Sequence, residues 1–365
     1  MAEARVGGRG TLAAAQWTGS RVECRPHSKG GTMYLKPTEN NPSRECDLSK
    51  MASPFHLGIN SERLTCSAIE DLRQTWAERP GMAEHVRMSY EDNARVRWNM
   101  HSNAIEGNTL THGEIIILLL LGESVGGRLM RECEEVVGHD LAVSYVREMA
   151  LSDRELTQTD LREWHRLLLV RPYRMPAQTP GGRRTSRLIQ VGSYKQVPNF
   201  VRLPGGGIKR FATPEETPAL MTAHMDRLNA DLHQYLVSPS AVDFPELLAH
   251  QHADYIQIHP FDDGNGRTGR LITSWLCLKA GFPVSIIPVT QRDTYLAAMD
   301  QAHAGNLQPL RDLLAATLVK EVDFGLAAAR GECDPSVDNE HADPTRPVEK
   351  GSTGAAIITN GWEVR

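Results

Sequence analysis

Within the run Ile258-His259-Pro260-Phe261-Asp262-Asp263-Gly264-Asn265-Gly266-Arg267-Thr268-Gly269-Arg270, an imidazole, a carboxylate, two glycines and two guanidiniums follow one another closely. His259 is the nearby group whose ordinary pKa lies near neutrality, so it suits a general base. Asp263 is a hard carboxylate of the kind that takes Mg²⁺ where a polyphosphate brings it. Gly264 and Gly266 leave the backbone bare enough for a phosphate to approach. Arg267 and Arg270, three apart on one side of a first helical turn, supply full positive charge. A base, a metal carboxylate, an anion nest and an arginine pair describe transfer from a nucleoside triphosphate. The competing reading is a corner whose glycines only make the turn. A lone Gly-Asn-Gly would warrant that, but so many functional types in order do not.

Two helices must hold these groups. Residues 244–258 follow an Asp243 cap, with Glu246 placed to complete a capping box. Leu248, His252, Tyr255 and His259 share one face of that helix. His250 and His252, two apart, diverge and do not chelate a metal together; His252 is expected as a packed, hydrogen-bonded support for His259. Downstream, Leu271, Ile272, Trp275, Leu276 and Leu278 make a second helix apolar nearly all round, hence buried, ending at Gly281 before Pro283. The glycine-rich turn therefore opens into a helix N-terminus, whose unpaired amides and dipole favour an anion.

This run closely resembles the signature of the Fic family, His-x-Phe-x-Asp/Glu-Gly-Asn-Gly-Arg-x-x-Arg, and matches it at every defined position. The resemblance extends over about residues 60 to 326. It implies an all-α, Fic-like helical bundle with a small β-hairpin flap, and the activity of a protein adenylyltransferase (AMPylation). His259 would deprotonate a target hydroxyl, which attacks the α-phosphate of ATP. Carried over by position, Gly264, Asn265 and Gly266 form the anion hole, Arg267 and Arg270 hold the β- and γ-phosphates, Asp263 binds Mg²⁺ and Phe261 anchors the loop. Tyr295 falls where relatives line the adenine pocket; a half-buried core tyrosine is the alternative. Relatives that phosphorylate carry lysine where this chain has Gly266.

A second stretch, Ser102-Asn103-Ala104-Ile105-Glu106-Gly107, ends a helix. A glutamate there opposes the helix dipole and calls for a cation elsewhere. The stretch resembles the family's inhibitory motif, Ser/Thr-x-x-x-Glu-Gly/Asn. That resemblance implies a Glu106–Arg270 pair and autoinhibition, with Ser102 and Gly107 as motif positions.

The remaining chain divides into a tail (1–55) expected to be disordered, an N-terminal helical region (56–155) carrying the motif at 102–107, a catalytic domain (156–326) and a second disordered tail (327–365). Met33 and Met51 leave a later start open. Helices are expected around Leu64–Trp76, Met82–Ile105, Leu129–Leu151, Thr157–Leu169, Thr213–Leu232, Arg292–Ala302 and Leu307–Leu326. The apolar run Ile115–Leu121 is far short of the ~20 residues of a membrane span and is expected as a core helix. Between Pro180 and Pro214 the pattern turns to strands, with Leu188, Ile189, Gln190 and Val191 facing Ile208 to Phe211 across the Gly205-Gly206-Gly207 turn. The resemblance makes this the flap, clamping the target as an added strand.

A net charge of −5 gives no sign of a nucleic-acid surface. The six scattered cysteines, without a Cys-x-x-Cys, fit a reducing, cytoplasmic compartment and neither a zinc site nor a disulfide framework. Expected partners are ATP and a protein target offering a tyrosine, threonine or serine hydroxyl, with no nucleic acid and no membrane. Self-modification and a homo-oligomer stay open. The alternatives to AMP transfer are removal of AMP, another nucleotide donor, or a nucleotide-binding regulator without turnover; an intact His259 argues against the last.

Overall fold

The computed structural model describes residues 65–178, 183–202 and 208–336; the two expected disordered tails fall largely outside them. In chain order these residues form α1 (Cys66–Ala77), α2 (Glu84–Ile105), α3 (His112–Leu119), α4 (Met130–Ala150), α5 (Gln158–Leu169), β1 (Tyr173–Gln178), β2 (Arg184–Ile189), β3 (Phe200–Arg202), β4 (Ile208–Arg210), α6 (Thr217–Val237), α7 (Phe244–Ile258), α8 (Asn265–Lys279), α9 (Arg292–His303) and α10 (Gln308–Ala329). The class is all-α with small β elements, as expected. None of the described helices is long and apolar enough to cross a membrane.

The α7–α8 pair forms the centre. Asp243 caps α7 by accepting from the Glu246 N–H (3.1 Å), while its other carboxylate oxygen takes Arg311 on α10 (2.6 Å). Glu246 thus supplies its backbone donor and not the reciprocal half of a capping box. Phe244, Leu248 and Tyr255 of α7 and Leu271, Trp275 and Leu276 of α8 are fully buried, as an apolar stripe on each helix dictates. Helices α4 and α5 pack against α8, and α6, α9 and α10 against α7.

Helix α2 is fixed along its length before it reaches the site. Arg97 forms a buried ion pair with Glu321 of α10. Asn99 donates through Nδ2 to Asp140 (2.9 Å) and accepts at Oδ1 from His139 Nδ1 (2.8 Å), both on α4. The helix stops because Gly107 takes φ +99°, a backbone angle costly for a side-chain-bearing residue.

Two expectations need correction. The run 115–121 is not a core helix: α3 is only eight residues long, buries Ile115 alone, and leaves Leu121 62% exposed. Nor is there a single hairpin. Antiparallel β1–β2 pairs Tyr173 with Ile189, and a separate β3–β4 pairs Phe200 with Arg210. Leu188 and Ile189 end β2, while Gln190 and Val191 lie beyond it. Helix α10 also runs three residues past the expected end at Leu326.

Candidate active site

Helix α7 ends when His259 adopts a left-handed conformation (φ 52°, ψ 59°), its N–H still bonded to Tyr255 C=O (3.0 Å). Histidine tolerates that region better than most side chains, yet at a cost that surrounding bonds must offset. The imidazole stacks on Phe211 (4.0 Å between centroids, 15° between planes), and Nδ1 lies 3.3 Å from Ile256 C=O. With Nδ1 as the donor there, Nε2 keeps its lone pair. Burial, and then the Lys195 ammonium, pull the pKa down to about 3, so the ring is neutral at pH 7.

The turn itself is tightly bonded. Phe261 is fully buried, stacks on His165 (3.8 Å, 7°), and exchanges two bonds of 2.9 Å with the Asn265 side chain. Asn265 therefore closes the turn: its side-chain oxygen and one amide hydrogen are engaged by Phe261. Gly264 caps α8 at φ +76°.

Above the first turn of α8 lies Glu106. Its Oε1 accepts from Arg270 Nη2 (2.7 Å), and a Cβ placed on Gly266 would come within 2.2 Å of that oxygen. Arg270 also donates to Ser102 Oγ (3.1 Å) and Ser102 C=O (2.7 Å). Arg267 lies 3.6 Å from Glu135 of α4 and 3.7 Å from Asp263. Two buried guanidinium atoms, Arg267 Nε and Arg270 Nη1, have no hydrogen-bond partner among the described residues. Burial works against the charge on Arg267, but Asp263, Glu135 and Glu106 more than offset it and raise its pKa. Asp263 accepts from the Tyr173 hydroxyl; although burial opposes its charge, Arg267 and Tyr173 hold it below the usual carboxylate range.

The sequence-expected residues thus converge: His259, Asp263, Gly264, Gly266, Arg267, Arg270, Ser102, Glu106 and Gly107 share one locality. Tyr295 does not face it openly. Its ring is buried 5.9 Å from the Arg270 guanidinium, with its hydroxyl 2.9 Å from His252 Nε2. His252 is packed and hydrogen-bonded as expected, but to Thr273 (2.9 Å) and Tyr295, not to His259. It underpins the arginine side of the site. No group of three or more His, Cys, Asp or Glu side chains suited to a metal occurs among the described residues.

Four residues here escaped the sequence reading. His165 bridges the Asp263 C=O (2.9 Å) and the Gly192 N–H (2.9 Å). Lys195 reaches the Ile258 and His259 carbonyls (2.9 and 2.8 Å), Asn199 donates to Phe261 C=O (2.7 Å), and Arg187 pairs with Asp262. His165 alone left a trace, a histidine on the apolar face of α5 with Leu161 and Leu168, which a packed core residue explains equally.

The Fic/DOC family profile matches residues 155–277. Protein adenylyltransferase fic-1 of Caenorhabditis briggsae is 30% identical over 278 residues, 76% of this chain and 50% of that protein. Protein adenylyltransferase Fic of Drosophila willistoni is 33% identical over 230 residues, 62% of this chain and 41% of that one. The chain spans half or less of the length of these curated relatives. Among solved structures, a Fic domain containing signaling protein from Bacteroides thetaiotaomicron gives a TM-score of 0.65 at 29% identity, covering 73% of this chain and 97% of its own. Fic-1 from C. elegans gives 0.56 at 26% identity, covering 73% and 71%.

Proposed function

We propose that this chain, which belongs to the Fic/DOC family through its residues 155–277, transfers AMP from ATP to a hydroxyl side chain of a protein target and is held in check by Glu106. The observation that carries this reading is an anion nest beside a neutral base. Two buried guanidinium N–H groups on the first turns of α8 stand unpartnered among the described residues, and the turn that opens α8 starts from His259, with its Nε2 lone pair kept. In the reaction, His259 takes the proton from the target hydroxyl as that oxygen bonds to the α-phosphorus. The bond to the bridging oxygen breaks, and pyrophosphate leaves with the electron pair. Arg267, Arg270 and the first amides of α8 bind the departing charge.

A Mg²⁺ ion fits the donor set. Asp263, a charged, hard carboxylate with one oxygen on Tyr173, would hold the ion as a single protein carboxylate beside the substrate phosphates. Bound there, the ion would neutralise phosphate charge.

Glu106 is itself an anion over the first turn of α8, so it competes with a phosphate for Arg270. Charge-assisted pairs of this kind contribute about 1.5–3 kcal/mol, roughly a ten- to hundredfold effect on productive binding. The β1–β2 hairpin is the surface proposed to receive the target, and a cytoplasmic setting agrees with free thiols at Cys66, Cys133 and Cys277. The test is incubation of Glu106→Gly with a cell lysate and ATP labelled at either the α- or the γ-phosphate. AMP transfer leaves α-label and no γ-label on protein. Equal labelling by both, or none by either, contradicts it.

A further inference from the structure

The segment after β2 carries a buried lysine that the reaction scheme does not use. Lys195 is 2% exposed, and its ammonium donates to the last two carbonyls of the α7 corner, Ile258 (2.9 Å) and His259 (2.8 Å). Its own N–H donates to the next carbonyl, Pro260 (2.8 Å). Asn199 then holds the Phe261 carbonyl (2.7 Å), and Arg187 pairs with the Asp262 side chain. From 258 to 262, every residue is gripped by β2 or by the stretch between β2 and β3.

The cost of burying an ammonium is large unless strong acceptors meet it. Here the acceptors are C-terminal carbonyls of a helix, where the dipole is negative and the orphan groups need donors. One of them belongs to His259, whose left-handed backbone is one of only two positive-φ conformations at non-glycine positions among the described residues. The orientation of the His259 peptide sets where its imidazole emerges.

We propose that Lys195 is the positioning residue for the base: its ammonium pins the His259 carbonyl, holds the left-handed corner, and so aims Nε2 at the acceptor hydroxyl. Burial and the nearby Arg187 bring the lysine pKa down to about 8, with Glu216 acting in the opposite direction. Because Arg187 lies on β2 and Lys195 in the stretch that follows it, a target docked on that hairpin lies next to the residues that aim the base.

This inference rests on the AMP-transfer reading, and its test separates the two. In a Glu106→Gly background, Lys195→Met, Lys195→Gln and Lys195→Arg are compared for kcat, for KM of ATP, and for amide hydrogen exchange at His259 and Phe261. Displacing a reacting group by about 1 Å costs on the order of 10²-fold. Lys195→Met is expected to lower kcat by roughly 10- to 100-fold with KM for ATP within about twofold, and to speed exchange at both amides. Arginine, which keeps charge and donors, is expected to recover part of kcat, and glutamine, which keeps a donor alone, less. If the Met variant does not fold, Gln against Arg gives the same contrast. Parental kcat in the Met and Gln variants, or KM rising as much as kcat falls, overturns the proposal. Should the Glu106→Gly parent transfer nothing, the reading of the reaction fails, while the exchange comparison still decides whether Lys195 holds the corner.

Discussion

The two sides of the site are held by different kinds of bond. On the arginine side, Arg270 is anchored on Ser102 and shares its remaining charge with a side chain, the Glu106 carboxylate, itself a third exposed, at 2.7 Å. On the histidine side, Lys195 and Asn199 meet backbone carbonyls in the interior. A carboxylate on a guanidinium is exchangeable, because any phosphate offers the same oxygens to the same donors. A carbonyl at a helix end has no such rival. The difference teaches that the anion nest is built to change occupant, and the base to stay where it is.

The largest effect should come from removing the fixed side. His259→Ala is expected to keep helical content and ATP affinity while lowering transfer by about 10²–10⁴-fold, the range of a general base. Single-turnover labelling at saturating ATP checks this, and parental rates would remove His259 from the mechanism. Next, Asp263→Ala should reduce the response to Mg²⁺ by more than the roughly 10–100-fold seen when only a supporting residue around a metal is lost. Equal activity with and without added metal in the parent would show the carboxylate to be misassigned.

A smaller effect is common to both sides. His165 beneath the hairpin side, His252 beneath the arginine side and His259 itself are buried, with pKa values brought down by burial to about 4, 3 and 3. The unfolded chain binds their protons near the ordinary 6.5. Above that pH they add no slope; below it the unfolded state binds more protons, so stability falls with pH. Each histidine can contribute up to about 1.4 kcal/mol per pH unit until its folded pKa is reached. Urea midpoints should therefore drop between pH 7 and pH 5, and a flat profile there would mean that these rings are not held neutral.

The exchangeable side was legible in the sequence, and much of the fixed side was not. Arg270, Gly266 and Glu106 are read from residue types because the contacts among them are made by side chains or bare glycine. Lys195 and Asn199 bond to carbonyls 63 and 62 residues away, and His165 to one 98 residues away. A backbone acceptor has no residue identity, so no spacing betrays it. Asn265 shows a similar limit: its type fits an anion hole, but only the fold reveals that its amide bonds the Phe261 backbone on both sides. Helix boundaries around the site followed from caps and helix-ending glycines, as at Asp243 and Gly107. Strand β1 stayed hidden because it contains Pro176, a residue that ordinarily argues against a strand; in a two-stranded ribbon, where every strand is an edge, it is tolerated.

The central claim, that Glu106 and ATP contend for Arg270, is tested most directly by self-labelling with α-labelled ATP, well below saturation, in wild type, Glu106→Gly and Glu106→Gly/Arg270→Ala. The account expects near-silence in wild type, a roughly ten- to hundredfold rise in the single variant, and loss of that rise in the double. Equal labelling of wild type and Glu106→Gly would contradict it, and would leave Glu106 an ordinary residue at a helix end.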